Sequence, residues 1–155
     1  MEKLLYLMRH GETEFNVRKK IQGWCDSPLT EIGIQQAKIA ETYFSNNRIE
    51  IDHAYSSTSE RASDTLEIVT GNQMPYQRLK GLKEWHFGAF EGESEHLNPS
   101  IPYGDFFEKF GGESEEKMRD RLATTLKMIM DSADHQNVLA VSHGAACRGF
   151  IHKWA

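Results

Sequence analysis

Two short motifs place an imidazole next to a glycine, each directly after an apolar run. Arg9-His10-Gly11 follows the run at residues 4–8, and Ser142-His143-Gly144 follows the run at residues 138–141. Such runs are typical of strands that are buried on both faces of a parallel sheet. Ligands bind at the carboxyl ends of these strands. If the two strands are neighbours, His10 and His143 converge on one pocket.

Two arginines and one glutamate are candidates to join the imidazoles. Arg9 precedes His10, and Arg61 falls in the first turn of a predicted helix. A cation there opposes the helix dipole, so Arg61 is better explained by a bound anion than as a solvated surface arginine. Glu84 lies in a glycine-containing loop beside Trp85 and other aromatic residues. Apolar neighbours would raise the pKa of its carboxyl group and keep it protonated.

This set of side chains favours phosphoryl transfer through histidine. Guanidinium groups bind phosphate oxygens by bidentate hydrogen bonds, and a neutral imidazole can attack phosphorus and carry the phosphoryl group. A carboxylic acid such as Glu84 can protonate the departing alkoxide and then activate water. There is no Walker loop, no Gly-x-Ser-x-Gly motif and no metal-ligand spacing among the seven histidines, so we expect no metal and no cofactor.

The length and composition indicate one ordinary globular domain. The chain has 155 residues, 39% of them hydrophobic and 26% charged. The net charge of −5 argues against a nucleic-acid partner. No run suggests a signal peptide or a membrane span, and Cys25 and Cys147 are interpreted as reduced thiols, so we expect a cytoplasmic protein.

Strands and helices alternate along the chain, which predicts a three-layer α/β/α sandwich with a mostly parallel sheet. Predicted strands lie at 4–8, 51–56, 76–79 and 138–141, and predicted helices at 30–45, from about 59 to 69, from 114 to about 133, and at 145–155, with one short helix near 103–110. Thr30 and Ser114 are predicted N-caps, as is Thr58 or Ser59. Residues 11–28 and 80–92 are predicted to be loops near the pocket.

The chain resembles the histidine phosphatase superfamily, the phosphoglycerate mutase-like proteins, and its phosphatase branch in particular. The resemblance begins with Arg9-His10-Gly11-Glu12-Thr13 and continues through Gln22-Gly23-Trp24, Pro28-Leu29-Thr30, Ser56-Ser57, Arg61-Ala62, Glu84, Phe87-Gly88, Glu91-Gly92, Gly111-Gly112-Glu113 and Ser142-His143-Gly144. It covers nearly the whole chain in order.

The resemblance implies a role for each matched residue. It makes His10 the phosphorylated nucleophile and Glu84 the proton donor, and it has Arg9, Arg61 and His143 hold the phosphoryl oxygens, with Asn16, Gln22 and Gly23 lining the phosphate pocket. The implied enzyme is a metal-independent histidine acid-type phosphatase that hydrolyses phosphomonoesters of small metabolites. A phosphoglycerate mutase and a catalytically silent phospholigand-binding module are the alternatives.

Charge and aromatic content favour the phosphatase. The charged residues of 91–117 are mostly acidic, with only Lys109 and Lys117 opposing them, and the stretch lacks the arginine pair with which mutases hold a substrate carboxylate, so that carboxylate would be repelled. The aromatic residues Trp24, Trp85, Phe87, Phe90, Tyr103, Phe106 and Phe107 suit uncharged leaving groups, although most of them individually fit a core under the loop.

Residues 1–155 are predicted to form a single domain that lacks the C-terminal strand region of its family. Family members continue past the second His-Gly through a full helix and a further strand, so an open sheet edge would be left. We therefore expect that this polypeptide is a fragment of a longer protein, or that it covers the open edge with another molecule. The sequence leaves open whether the protein forms a homo-oligomer. In the last helix, Cys147, Phe150, Ile151 and Trp154 are predicted to face the sheet.

Overall fold

Four parallel strands form the central sheet of the computed structural model, which describes residues 2–154. They are β1 (Leu4–Arg9), β2 (His53–Ser57), β3 (Gln77–Leu79) and β4 (Asn137–Ser142), in the spatial order β1-β4-β2-β3. Strands β1 and β4 are neighbours, and Arg9 lies opposite Ser142 in their register. The two His-Gly motifs therefore leave the sheet side by side, which meets the condition under which the sequence placed His10 and His143 in one pocket.

Helices cover both faces of the sheet, which confirms the three-layer α/β/α fold. They are α1 (Glu14–Val17), α2 (Glu31–Asn46), α3 (Glu60–Val69), α4 (Glu115–Met130) and α5 (Gly144–Trp154). Helices α2 and α3 pack against each other, and so do α4 and α5. Short 3₁₀ turns occur at Lys80–Leu82, Gly88–Phe90, Glu95–Leu97 and Glu108–Phe110.

Alternate residues of the strands enter two separate hydrophobic cores. In β4, Leu139 and Val141 pack with the buried face of α3, whereas Val138 and Ala140 pack with α4 and the aromatic loop. All four β4 residues are completely buried. This explains why the run reads as continuously apolar rather than alternating.

Two of the predicted N-caps are confirmed. The Thr30 hydroxyl accepts a hydrogen bond from the Gly33 amide, and the Ser114 hydroxyl accepts one from the Lys117 amide. Ser59 occupies the N-cap position of α3 but makes no side-chain cap hydrogen bond.

Several local predictions were wrong. The loop at 11–28 contains the short helix α1, and only the turn Glu108–Phe110 forms where a helix near 103–110 was predicted. In α5 the side chains of Ile151 and Trp154 are exposed, and the buried positions are Ala146 and Gly149. Small residues let α5 approach its neighbours closely, which a count of large apolar residues does not reveal. Ala155 lies outside the described residues.

Gly11 is required by close packing rather than by an unusual backbone angle. A Cβ at Gly11 would lie 2.4 Å from the carbonyl oxygen of Gly33, and a Cβ at Gly33 would lie 2.1 Å from that of Glu12. The loop after β1 and the first turn of α2 therefore touch through backbone atoms, which fixes the position of His10.

Among residues 2–154, no helix is long and apolar enough to cross a membrane. Cys25 and Cys147 are both free thiols.

Candidate active site

His10 is buried directly after β1, and its hydrogen bonds determine its tautomer. Its Nδ1 lies 2.7 Å from the carbonyl oxygen of Gly11, which can only accept, so Nδ1 carries the proton. Its Nε2 accepts a hydrogen bond of 3.2 Å from Nε of Arg61. Burial, followed by the positive charges of Arg61 and Arg9, lowers the pKa of His10 to about 4. The ring is therefore neutral at pH 7, with an unprotonated Nε2.

Arg61 is completely buried in the first turn of α3. Its Nη1 donates to the Cys25 carbonyl at 2.7 Å and to Asp26 Oδ1 at 2.8 Å, while its Nη2 donates to the Gly23 carbonyl at 2.7 Å. The other Asp26 oxygen accepts from the backbone amide of Glu60 at 2.7 Å. Asp26 thus supplies the negative charge and the cap that this helix terminus needs. The structure therefore offers a second reason, besides a bound anion, for a cation at this position.

His143 lies at the corresponding place after β4 and is also completely buried. Its ring centroid is 5.2 Å from that of His10, with the two planes at 65°. Its Nε2 is 2.7 Å from the Ser57 hydroxyl, which already accepts a hydrogen bond from the Ser59 amide. When the hydroxyl donates its proton to Nε2, the proton of His143 lies on Nδ1.

The Nδ1 of His143 is buried and has no hydrogen-bond partner within residues 2–154. A buried donor without an acceptor costs free energy, so such groups in native proteins need an explanation. Burial, followed by the charge of Arg61, lowers the pKa of His143 well below its ordinary value. In the tautomer with the proton on Nδ1, this group is a neutral donor available to an anionic ligand.

Glu84 is buried against the N-terminus of α5. Its Oε1 accepts hydrogen bonds from the amides of Trp85 (2.8 Å) and Ala146 (2.9 Å), and its Oε2 accepts one from Ala145 (3.0 Å). Burial raises the pKa of Glu84, while these amides and Arg61 act in the opposite direction. The net rise has the direction predicted from the sequence, although the carboxyl group also has polar contacts that the sequence did not indicate.

Arg9, Asn16 and His10 line an open cavity of about 500 Å³, together with Glu12 and Gln36. Arg9 is exposed at the end of β1. The Oδ1 of Asn16 accepts from the Thr13 amide and completes the capping box of α1. Arg61, Glu84 and His143 are buried and do not line this cavity.

Gln22 and Gly23 hold the loop around Arg61 in this structure. The amide nitrogen of the Gln22 side chain donates to Thr13 Oγ1 at 2.9 Å, and its oxygen accepts from Ser27 at 2.6 Å. The carbonyl of Gly23 accepts from Arg61. A direct contact of either residue with phosphate therefore stays a prediction.

Two ionic side chains that sequence reasoning gave no role fix the loops of the site. Glu91 accepts hydrogen bonds from four backbone amides, those of Gly23, Trp24, Cys25 and Phe87. Arg121 on α4 donates to the carbonyls of Gly81, Lys83 and Glu84 and bonds with Glu113. The only signal in the sequence is their charge next to a loop rich in aromatic residues. Glu91 lies within that loop, and Arg121 faces it from α4.

The structure weakens the charge argument that was made from residues 91–117. Glu91 faces backbone amides, Glu113 is paired with Arg121, and Glu108 and Glu115 are paired with Lys117 and Arg119. Next to the loop that holds Arg61, the ammonium groups of Lys80 and Lys83 lie 5.0 and 5.3 Å from the ring centroid of Trp24. The surroundings of the site are therefore less acidic than the sequence suggested.

Most of the aromatic residues that the sequence offered for a leaving group belong to the core. Trp85, Phe87 and Phe107 are buried, and their rings pack edge-to-face or stacked at centroid distances from 4.9 to 6.0 Å. Phe90, Tyr103 and Phe106 are half-buried and pack against this core. Trp24 is also half-buried, and its ring is tilted at 44° to that of His86 with the centroids 4.2 Å apart.

Residues 5–155 match the family model of the histidine phosphatase superfamily (branch 1). The chain is 32% identical over 162 residues to phosphoglycerate mutase-like protein 4 of Arabidopsis thaliana, covering 96% of this chain and 70% of that protein.

Solved structures share the fold over most of the chain. A phosphoglycerate mutase from Bacillus anthracis superposes with a TM-score of 0.85 at 30% identity, covering 96% of this chain and 78% of that one. A phosphoserine phosphatase from Entamoeba histolytica, solved with 3-phosphoglyceric acid, superposes with a TM-score of 0.80 at 35% identity. The match covers 95% of this chain and 77% of that one. Because the family model matches residues 5–155, this chain belongs to the histidine phosphatase superfamily.

Proposed function

We propose that this protein is a phosphatase that hydrolyses phosphomonoesters of small metabolites through a phosphohistidine on His10. The observation that carries the proposal is the state of the His10 ring. Its Nδ1 proton is bound to Gly11, its Nε2 is unprotonated, and its pKa of about 4 keeps the ring neutral in water near pH 7. A neutral imidazole held by a hydrogen bond at its other nitrogen is an effective nucleophile.

In the first step, Nε2 of His10 attacks phosphorus and the P–O bond to the leaving group breaks. Before this attack, Arg61 moves its Nε–H from His10 to a phosphoryl oxygen, which frees the Nε2 lone pair, and Nδ1–H of His143 donates to another phosphoryl oxygen. Arg9, exposed at the mouth of the cavity, binds the incoming dianion. These donors stabilise charge that spreads over the phosphoryl oxygens in the transition state.

Glu84 completes the step as general acid. Its raised pKa favours the protonated carboxyl group, whose proton passes to the departing alkoxide and leaves an alcohol and a carboxylate. In the second step this carboxylate takes a proton from water, the hydroxide attacks phosphorus, and the P–N bond breaks. Inorganic phosphate leaves, and His10 and Glu84 return to their starting protonation states.

The mutase remains the second candidate because named relatives of this chain include phosphoglycerate mutases. A phosphoserine phosphatase at 35% identity supports the hydrolase. Residues 91–117 supply no arginine pair for a substrate carboxylate. We therefore place hydrolysis first.

A substrate panel separates the two activities. The purified chain is incubated with p-nitrophenyl phosphate, phosphoserine and 3-phosphoglycerate, and free phosphate and positional isomers are quantified and ranked by kcat/KM. Stoichiometric release of phosphate is expected. Formation of 2-phosphoglycerate without release of phosphate would assign the mutase instead, and no turnover of any member would favour a silent binding module.

Trapping of the intermediate tests the nucleophile. The reaction is quenched in alkali, because phosphohistidine is acid-labile, and peptides are mapped by mass spectrometry. One phosphoryl group is expected on His10. A phosphoryl group on another residue would reject the assignment.

A further inference from the structure

A second group of imidazoles lies at the amino end of the sheet, opposite the candidate active site. His53 begins β2, and His135 lies just before β4. Their rings stack with centroids 3.6 Å apart and planes at 11°. Asp134 bridges them: its Oδ1 is 2.7 Å from His135 Nδ1, and its Oδ2 is 3.3 Å from His53 Nε2.

The other nitrogen of each ring has its own hydrogen-bond partner. His53 Nδ1 lies 2.5 Å from Asp52 Oδ1, and His135 Nε2 lies 2.6 Å from the hydroxyl of Tyr55. Asp52 is itself fixed by the amides of Gln136 and Asn137. In metal-binding histidines one nitrogen is typically oriented by a carboxylate or hydroxyl while the other binds the metal. Here that other nitrogen bonds with Asp134 in each ring, and a metal ion would take the place of the shared protons.

From this geometry we propose that His53 Nε2, His135 Nδ1 and a carboxylate oxygen of Asp134 form a binding site for a divalent transition-metal ion such as Zn²⁺. One ligand atom of each residue lies within 4.8 Å of the other two. Ligand distances of about 2.0–2.2 Å require the two stacked rings to turn apart, because parallel rings cannot both point a lone pair at one ion. The side chains of His53 and Asp134 are 31% and 75% exposed and can make that movement. Two imidazoles and one carboxylate suit zinc, with water in the fourth position.

The charges around this cluster favour a cation. Asp52 and Asp134 are the charged groups in contact with the two rings. Tyr55, which packs on His135 from β2, is uncharged at neutral pH, since burial raises the pKa of its hydroxyl. A bound ion would join the turn before β4 to the start of β2, so its expected effect is on stability rather than on turnover.

Zinc titration of the full chain tests the proposal in a phosphate-free buffer at pH 7.5. Isothermal titration calorimetry should give one Zn²⁺ per chain, and Zn²⁺ should raise Tm by a few degrees, about what mass action predicts for an ion well above its Kd. His53→Gln should weaken binding by at least about tenfold. The exposed variant Asp134→Asn tests the same site if His53→Gln does not fold.

Matched controls separate this site from other histidines. His96→Gln changes an exposed histidine elsewhere and should bind Zn²⁺ like the wild type. Tyr55→Phe removes only the hydroxyl that orients His135 and should weaken binding by about tenfold. Co²⁺ as a probe should give the visible spectrum of a tetrahedral site, which is lost in His53→Gln.

Three results would overturn the site. The first is unchanged Zn²⁺ affinity in both His53→Gln and Asp134→Asn, and the second is a loss of Zn²⁺ affinity in His96→Gln equal to that in His53→Gln. The third is loss of Zn²⁺ binding in His10→Ala while His53→Gln still binds like the wild type. The last result would place the ion at the opposite end of the sheet.

Discussion

The two ends of the sheet each hold two imidazoles, in opposite electrostatic surroundings. At the carboxyl end, His10 and His143 meet at 65° and are flanked by the guanidinium groups of Arg61 and Arg9. At the amino end, His53 and His135 stack nearly parallel and are flanked by Asp52 and Asp134. The same side chain therefore has different neighbours at the two ends.

The neighbours decide what each imidazole can bind. Cations and burial disfavour the protonated ring, so His10 and His143 stay neutral, and the surrounding positive charge attracts phosphate. The same cations would repel a metal ion. The carboxylates of Asp52 and Asp134 attract a cation beside the rings, so the amino-end cluster suits a metal ion and not a phosphate group.

The largest effect is expected when the nucleophile is removed. His10→Ala should reduce kcat for p-nitrophenyl phosphate by at least about 10³-fold, because no covalent intermediate can form. His53→Ala makes the same change at the other end of the sheet and should leave kcat within about twofold. Circular dichroism checks that both variants are folded. Similar losses in the two variants would remove the functional distinction between the two ends.

Glu84→Gln should give a smaller effect that depends on the leaving group. The amide keeps the shape of the side chain but cannot protonate an alkoxide, so turnover of phosphoserine should fall by about 10²–10⁴-fold. The fall for p-nitrophenyl phosphate should be much smaller, because nitrophenolate leaves without a proton. Equal losses for both substrates, measured as kcat/KM, would reassign Glu84 to a structural role under α5.

The smallest effect concerns the pH profile of kcat/KM. His10 must be neutral to attack, so activity should fall as the pH drops through its pKa of about 4. Activity should also fall at higher pH as Glu84, whose pKa is raised, loses its proton. Arg9→Gln removes a cation that lowers the pKa of His10, so the acid limb should move upward by a fraction of a unit.

The ionisation of the substrate contributes equally to the pH profiles of Arg9→Gln and the wild type, so it cancels when the two profiles are compared. His96→Gln serves as a variant that leaves the profile unchanged. An acid limb that stays in place or moves downward in Arg9→Gln would mean that Arg9 does not act on His10.

Local sequence pattern determined the fold class and much of the site. The continuous apolar runs of β1 and β4, the caps Thr30 and Ser114, and the His-Gly that follows each run are all readable without coordinates. Burial of a strand and capping of a helix depend mainly on residues within a few positions. The order of such elements then restricts the topology to a parallel sheet.

Only the tertiary structure decided which groups face one another. Arg61 meets Asp26 and the Gly23 carbonyl, Glu91 accepts four amides of two loops, and His53 stacks on His135. These contacts join residues that are distant in the chain, and they follow from the parallel register that sets His53 opposite Val138 and Arg9 opposite Ser142. Hydrophobic patterning selects which face of an element is buried, but a hydrogen bond between buried polar groups depends on positions of a few tenths of an ångström, which only the packed chain defines.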